Sequence, residues 1–247
     1  MAAVGPRGAI SHVSALALWG APVPRRHVGD AALIHVVTTA GRVRRPGIAG
    51  HEGARVEDFR LSPPGVLAVA PALAWCQSAE LLSRNVLVAI GDFLVTGRRS
   101  APGRRDVPLC SREELADAVR AFGRRRGVRV LRDALDLVRA GVDSPRESEL
   151  RLVLRDAGLP EPVIGHRVAT SMGMREPDLA YPDRRIAFEY EGEHHRSDRR
   201  QWRADFARVR AFQTEGWTVI RVNDDDLRDE ERRHALIGTV RSLLRRR

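Results

Sequence analysis

The 247-residue chain carries 42 basic side chains, every one an arginine, against 32 acidic ones, for a formal charge of +10 and an isoelectric point near 11.1. That balance points to a polyanionic partner such as nucleic acid, and the length suffices for two modest domains, each with its own core. The two cysteines, Cys76 and Cys110, lie in unrelated contexts without metal-ligand spacing, which argues against a disulfide scaffold and a thiolate metal site; no apolar run approaches a membrane span, and the opening residues are too weakly apolar for a signal peptide, so the sequence predicts a soluble, cytoplasmic protein.

In chain order, residues 11–19 read as a short helix and 32–39 (AALIHVVT) as a strand. Residues 42–53, rich in Arg and Gly and containing His51, read as a loop or hairpin. Residues 69–82 and 86–94 have helical apolar spacing, and 96–108 (TGRRSAPGRRDVP) read as a polar surface loop. Ser111 with Glu114 forms a capping box that opens a helix through Leu115, Val119 and Phe122, and a second helix spans about 130–140. The expected domains are 1–143 and 144–247. The first has 21 arginines and 13 acids for a formal +8, and the second 21 and 19 for +2.

The second domain is better punctuated. Ser144, Pro145 and Glu147 supply an N-cap, a proline at the first helical position and an acid at the third; Leu150, Val153, Leu154 and Ala157 continue the helix to Gly158. Strands are expected at 163–168, 177–181 (PDLAY) and 186–191 (IAFEYE), the last two joined by the turn-forming 182–185. A helix then carries Trp202, Phe206, Val209 and Phe212 on one stripe, read as core together with Trp217. Residues 217–222 (WTVIRV) form the next strand, and Asn223 to Asp226 cap the last helix, 227–244. The predicted order is α-β-β-β-α-β-α.

The chemistry concentrates in the acidic hairpin. Alternation along IAFEYE puts Ile186, Phe188 and Tyr190 on one face and Ala187, Glu189 and Glu191 on the other. Two glutamates about 7 Å apart on one strand face repel each other unless a cation lies between them. Asp178, at the start of the neighbouring strand, can add a third oxygen. Such a set suits Mg²⁺ or Mn²⁺, which polarises a scissile phosphate and generates hydroxide for in-line attack. The plainer reading is that these acids pair with arginines in so arginine-rich a chain.

The ordered set of an early helix Glu, Pro177-Asp178 on one strand, Glu189-Tyr190-Glu191-Gly192-Glu193-His194-His195 at the end of the next, a helix, and Gly216-Trp217-Thr218-Val219-Ile220-Arg221-Val222 resembles the very-short-patch-repair group of the PD-(D/E)XK nuclease superfamily. The resemblance covers residues 144–222. It implies a restriction-endonuclease-like α/β fold and a metal-dependent endonuclease acting on DNA. It assigns Asp178 to the proline-aspartate position, Glu189 to the first acid of the E-x-K element, and Glu147 to the helix acid of many relatives. Glu191 stands where the superfamily has lysine, and this chain has no lysine. By the same resemblance His195, with His194 behind it, takes over orienting water or protonating the leaving oxygen. Arg196, Arg199, Arg200 and Arg203, with Arg208 and Arg221, are the expected phosphate contacts. The missing lysine keeps a second expectation open, a non-catalytic DNA-binding regulator on a degenerate nuclease fold. Residues 1–143, with SALALWG, HVVTTAGRVRR and LVAIGD in order, are similar to regions preceding this domain in proteins related to abortive-infection antitoxins; a mixed, mainly helical, winged-helix-like DNA-binding or regulatory domain fits their +8 charge, and a generic basic surface is the plainer reading. The candidate contacts of such a domain are Arg42, Arg44, Arg45, Arg98, Arg99, Arg104 and Arg105.

Overall fold

The computed structural model describes residues 8–53, 55–101, 104–191 and 199–245 and shows a mixed α/β chain that divides into two compact units, Met1–Ala140 and Gly141–Arg247.

The first unit contains β1 (Gly8–Ile10), α1 (His12–Leu18), β2 (Ile34–Thr38), β3 (Ile48–Glu52), β4 (Phe59–Leu61), β5 (Leu67–Val69), α2 (Pro71–Gln77), α3 (Arg84–Thr96), a small hairpin of β6 (Arg99–Ala101) and β7 (Arg104–Arg105), α4 (Arg112–Phe122) and α5 (Val128–Leu137). Five strands form one mixed sheet in the order β3-β2-β1-β5-β4. That sheet, with parallel pairs β1–β5 and β2–β3, stands where a winged-helix reading expects a small antiparallel wing. The expected helices are present, and Ser111 accepts the N–H of Glu114 at 3.1 Å while Glu114 accepts that of Ser111 at 2.7 Å. The segment 42–53 departs from expectation. Its second half is β3, which runs parallel to β2 rather than pairing back as a hairpin. Gly50 makes this packing possible, because a Cβ there would lie 2.1 Å from the carbonyl oxygen of Val43. The core gathers Trp75, Leu87, Ile90, Leu94, Leu115 and Leu131, all fully buried; the Trp75 indole N–H donates to the Leu87 carbonyl at 2.8 Å.

The second unit opens with α6 (Pro145–Asp156), followed by the paired β8 (Val168–Thr170) and β9 (Gly173–Arg175), then β10 (Leu179–Tyr181), β11 (Ile186–Tyr190), α7 (Arg199–Thr214), β12 (Thr218–Val222), α8 (Asp224–Arg228) and α9 (Glu230–Arg245). The central sheet has the order β10-β11-β12. β10 is antiparallel to β11, with Leu179 opposite Phe188, and β11 is parallel to β12, with Glu189 opposite Arg221. A parallel pair needs a long crossover, which α7 supplies. The strand expected at 163–168 contracts to a single bridge, Val163 with Ala180. One sheet face packs Ile186, Phe188 and Leu179 onto Leu150 and Leu154 of α6 and Leu236 and Val240 of α9.

Local signals place these elements. Ser144 Oγ accepts the N–H of Glu147 at 3.2 Å, and Asn223 caps α8 by accepting from Asp225 and Asp226. A Ser144→Ala substitution is expected to cost about 1 kcal/mol, readable as a lower urea midpoint at constant slope. The stripe on α7 is only partly core. Phe212 is fully buried, but Phe206 is 51% exposed with Arg210 over its ring, and Trp217 is half-buried against His166.

Candidate active site at the acidic hairpin

Asp178 precedes β10 and is fastened to β11 twice. Its N–H donates to the Phe188 carbonyl at 3.1 Å, and its carboxylate Oδ2 accepts the N–H of Tyr190 at 2.6 Å. Its partners are therefore the residues on either side of Glu189. From α6 comes Glu147, a buried carboxyl whose Oε2 accepts the N–H of Asp143 at 2.9 Å. That bond reaches one residue beyond the cap that the sequence pattern predicts. Burial first, and then the neighbouring Asp178 carboxylate, push the Glu147 carboxyl up to about 8. Glu189 points to the other face of β11, towards α7, with its side chain 16% exposed. Its Oε2 accepts Arg208 Nε at 2.9 Å, and the same guanidinium donates to the Glu176 carbonyl and lies 5.7 Å over the Phe212 ring.

Glu191 is held differently. It forms an ion pair with Arg221 across β11 and β12, and both side chains are more than 40% exposed. Of the acids singled out in the sequence, Glu147 and Asp178 are near enough for their charges to interact, Glu189 is paired with Arg208 on the side of α7, and Glu191 is tied to the sheet rim. Among the described residues no three acids place carboxylate oxygens all within 4.8 Å of one another. Arg208 and Arg221, expected to face phosphate, instead donate to Glu189 and Glu191. His194, His195 and Arg196 lie outside the described residues; Arg199, Arg200 and Arg203 fall on the first turns of α7, with side chains outside the description.

A polar network missed in the sequence lies behind the hairpin. The Tyr190 hydroxyl donates to the Asp224 carboxylate, which also accepts Arg146 at 2.7 Å and Arg228 at 2.6 Å. Arg146 additionally binds Glu149. Burial, then the bond to Asp224, raises the Tyr190 hydroxyl pKa. The network ties the end of β11 to α6 and α8, and the only sequence signal for it was the run of aspartates after Asn223. Because both arginines still hold Asp224 when the hydroxyl is gone, Tyr190→Phe is expected to cost about 1.5 kcal/mol in chemical denaturation, the low end for a bond to a charged group.

Two proteins of Mycobacterium tuberculosis are each 33% identical to the chain over 206 residues, covering 82% of it and 71% of the relative: uncharacterized protein MT2308 of strain CDC 1551 / Oshkosh and uncharacterized protein Rv2248 of strain ATCC 25618 / H37Rv. The chain belongs to their family. The matched stretch is longer than either compact unit, so the family shares sequence from both the acidic hairpin's unit and the amino-terminal one. No protein-family model and no solved structure matches the chain.

Proposed function

We propose that the carboxy-terminal unit is a Mg²⁺- or Mn²⁺-dependent endonuclease of the PD-(D/E)XK type, related to the very-short-patch-repair group and hydrolysing DNA phosphodiester bonds. The observation that carries this reading is the seating of Asp178, hydrogen-bonded on both sides of Glu189 with the buried carboxyl of Glu147 against it. Burying carboxyls beside one another is unfavourable without a cation, and a helix acid, a strand-start acid and a mid-strand acid form an all-oxygen donor set suited to a hard divalent ion. The order of helix, antiparallel hairpin, crossover helix and parallel strand, with the Val163 bridge as a rudimentary outer strand, supports the restriction-endonuclease-like arrangement.

In this reading Asp178 and Glu189, assisted by Glu147, would hold the metal. A bound ion supplies Lewis-acid polarisation of the phosphate and a water of lowered pKa. Burial and the Asp178 charge favour the protonated form of Glu147, and a bound cation would favour the ionised one. Arg208 is the positioning residue, since it fixes Glu189 from α7 and brings a permanent cation to a site that has no lysine. Glu191, at the lysine position, is engaged by Arg221. His195 is assigned to orienting water or protonating the leaving oxygen, and Arg196, Arg199, Arg200 and Arg203 to flanking phosphates, while the +8 of residues 1–143 adds salt-sensitive DNA affinity.

The two ion pairs favour one competing reading, a DNA-binding regulator in which Arg208 and Arg221 neutralise the acids permanently. Incubating the full chain with supercoiled plasmid in Mg²⁺, Mn²⁺ or EDTA separates the two. Nicking that needs metal and is lost in Asp178→Asn and Glu189→Gln supports the nuclease. Binding without any nicking, or nicking that persists in both variants, overturns it.

A further inference from the structure

The amino-terminal unit holds a second cluster, unrelated to the acidic hairpin. His12 opens α1 directly after β1, His35 lies on β2 and His51 on β3. The N–H of Ser11 donates to the His35 carbonyl at 2.9 Å, which brings the start of α1 to β2. In the parallel β2–β3 register His51 stands opposite Val37, so it shares a face with His35 one pleat along. His12 has a left-handed φ of 52°, rare for a residue with a side chain. The ring centroids of His12 and His51 are 3.8 Å apart, and His35 is 5.2 Å from each.

The spacing suits a metal ion. Each histidine offers a ring nitrogen such that all three lie within 4.8 Å of one another, and among the described residues no other group of three His, Cys, Asp or Glu does so. His35 Nδ1 and His51 Nε2 are 3.0 Å apart. Nitrogens bound tetrahedrally to zinc at its usual bond length are about 3.3 Å apart, so the ring nitrogens need shift only about an ångström to enclose an ion. His12 Nδ1 lies 2.9 Å from Ser11 Oγ, the kind of outer contact that fixes a ring and presents its other nitrogen as ligand. Burial and the adjacent rings hold His12 down to about 3 and His35 to about 4, and burial lowers His51 as well. His51 also lines an open cavity of about 490 Å³ walled by Arg42, Arg44, Arg45 and Pro46, so its ring lies at the surface of the unit.

We propose that His12, His35 and His51 bind one divalent transition-metal ion of the zinc class through a nitrogen of each ring. Imidazole donors select Zn²⁺, Co²⁺ or Ni²⁺ over Mg²⁺, so this centre and the carboxylate site answer to different ions.

The test is titration of the metal-stripped full chain with Co²⁺ followed by Zn²⁺. One Co²⁺ per chain should bind with visible d–d bands of a low-coordinate site, and Zn²⁺ should displace it. Losing an outer partner of a ligand already costs about 10- to 100-fold in affinity, so His35→Asn and His51→Asn should each weaken binding by at least that much. Asp178→Asn and Glu189→Gln should leave it unchanged. Should the histidine variants fail to fold, X-ray absorption of the Zn²⁺-loaded wild type decides. Three nitrogen neighbours at about 2.0–2.1 Å with histidine scattering are expected. No stoichiometric binding, binding undiminished in folded histidine variants, or a shell of sulfur or carboxylate oxygen would overturn the proposal.

Discussion

Asp178→Asn is expected to lower Mg²⁺-dependent DNA cleavage by at least about 10³-fold, because a metal-bound transition state owes several kcal/mol to the ion. The unfolding temperature should not fall. Asparagine keeps an oxygen that can accept the Tyr190 N–H, now made by Asp178 Oδ2 at 2.6 Å, and its backbone still donates to Phe188. Removing the charge also relieves the repulsion that raises Glu147. Activity lost at undiminished thermal stability separates a ligand from a scaffold residue; if cleavage and melting temperature fell together, Asp178 would be structural and the proposed site would go with it. Glu189→Gln should behave alike in cleavage. It has less freedom in the fold, since an amide in place of the carboxylate weakens the charge-assisted bond to Arg208.

How these groups assemble was unevenly legible in the sequence. α6 was readable because Ser144-Pro145 and the Leu150–Leu154 spacing are local signals. β11 was readable because Ile186, Phe188 and Tyr190 alternate with Glu189 and Glu191, and Ile186 and Phe188 do enter the core, although Ala187 on the opposite face is buried as well. β3 was not, since IAGHE has little strand propensity and is held by a non-local parallel pairing and by a loop that only Gly50 lets approach. The three-residue strands β1, β4 and β5 are too short to show a period. On α7 the apolar stripe does not report burial, since Phe206 lies on it with Phe212 yet is exposed under Arg210.

The candidate site divides the same way. Asp178, just ahead of β10, and Glu189, on the neighbouring β11, stand where the hairpin pattern puts them, and Glu147, expected both as a cap partner and as the helix acid, is buried near Asp178, a proximity that no local signal specifies. The partners of Glu189 and Glu191 depend on which turn of α7 faces the sheet and on the register of β12, neither of which local sequence specifies. The histidine cluster was hidden for a similar reason, as its members are gathered by sheet order rather than by spacing along the chain.

Metal-free protein should lose stability as pH rises through neutrality, and Glu147→Gln should abolish much of that loss. In the unfolded chain the carboxyl titrates near its ordinary 4.5, while in the folded state it is pushed up to about 8. Below about 4.5 both states hold the proton and Glu147 contributes no pH dependence. Between the two values the folded state alone keeps it, so raising the pH favours unfolding, by about 1.4 kcal/mol per unit at the steepest. Above about 8 both states are ionised and the loss levels off. Glutamine cannot ionise, and its side-chain oxygen can still accept the Asp143 N–H. The variant should therefore match wild type near pH 4.5 and exceed it at pH 8, by a margin that widens between the two values and in which other titrating groups cancel. Millimolar Mg²⁺ should narrow that gap by stabilising the ionised wild-type carboxyl more than it stabilises the variant. Urea unfolding at pH 4.5, 6.5 and 8, with and without Mg²⁺, reads all of this. A variant less stable than wild type at pH 8 would mean that Glu147 serves only to cap α6, and a gap unmoved by Mg²⁺ would remove it from the metal site.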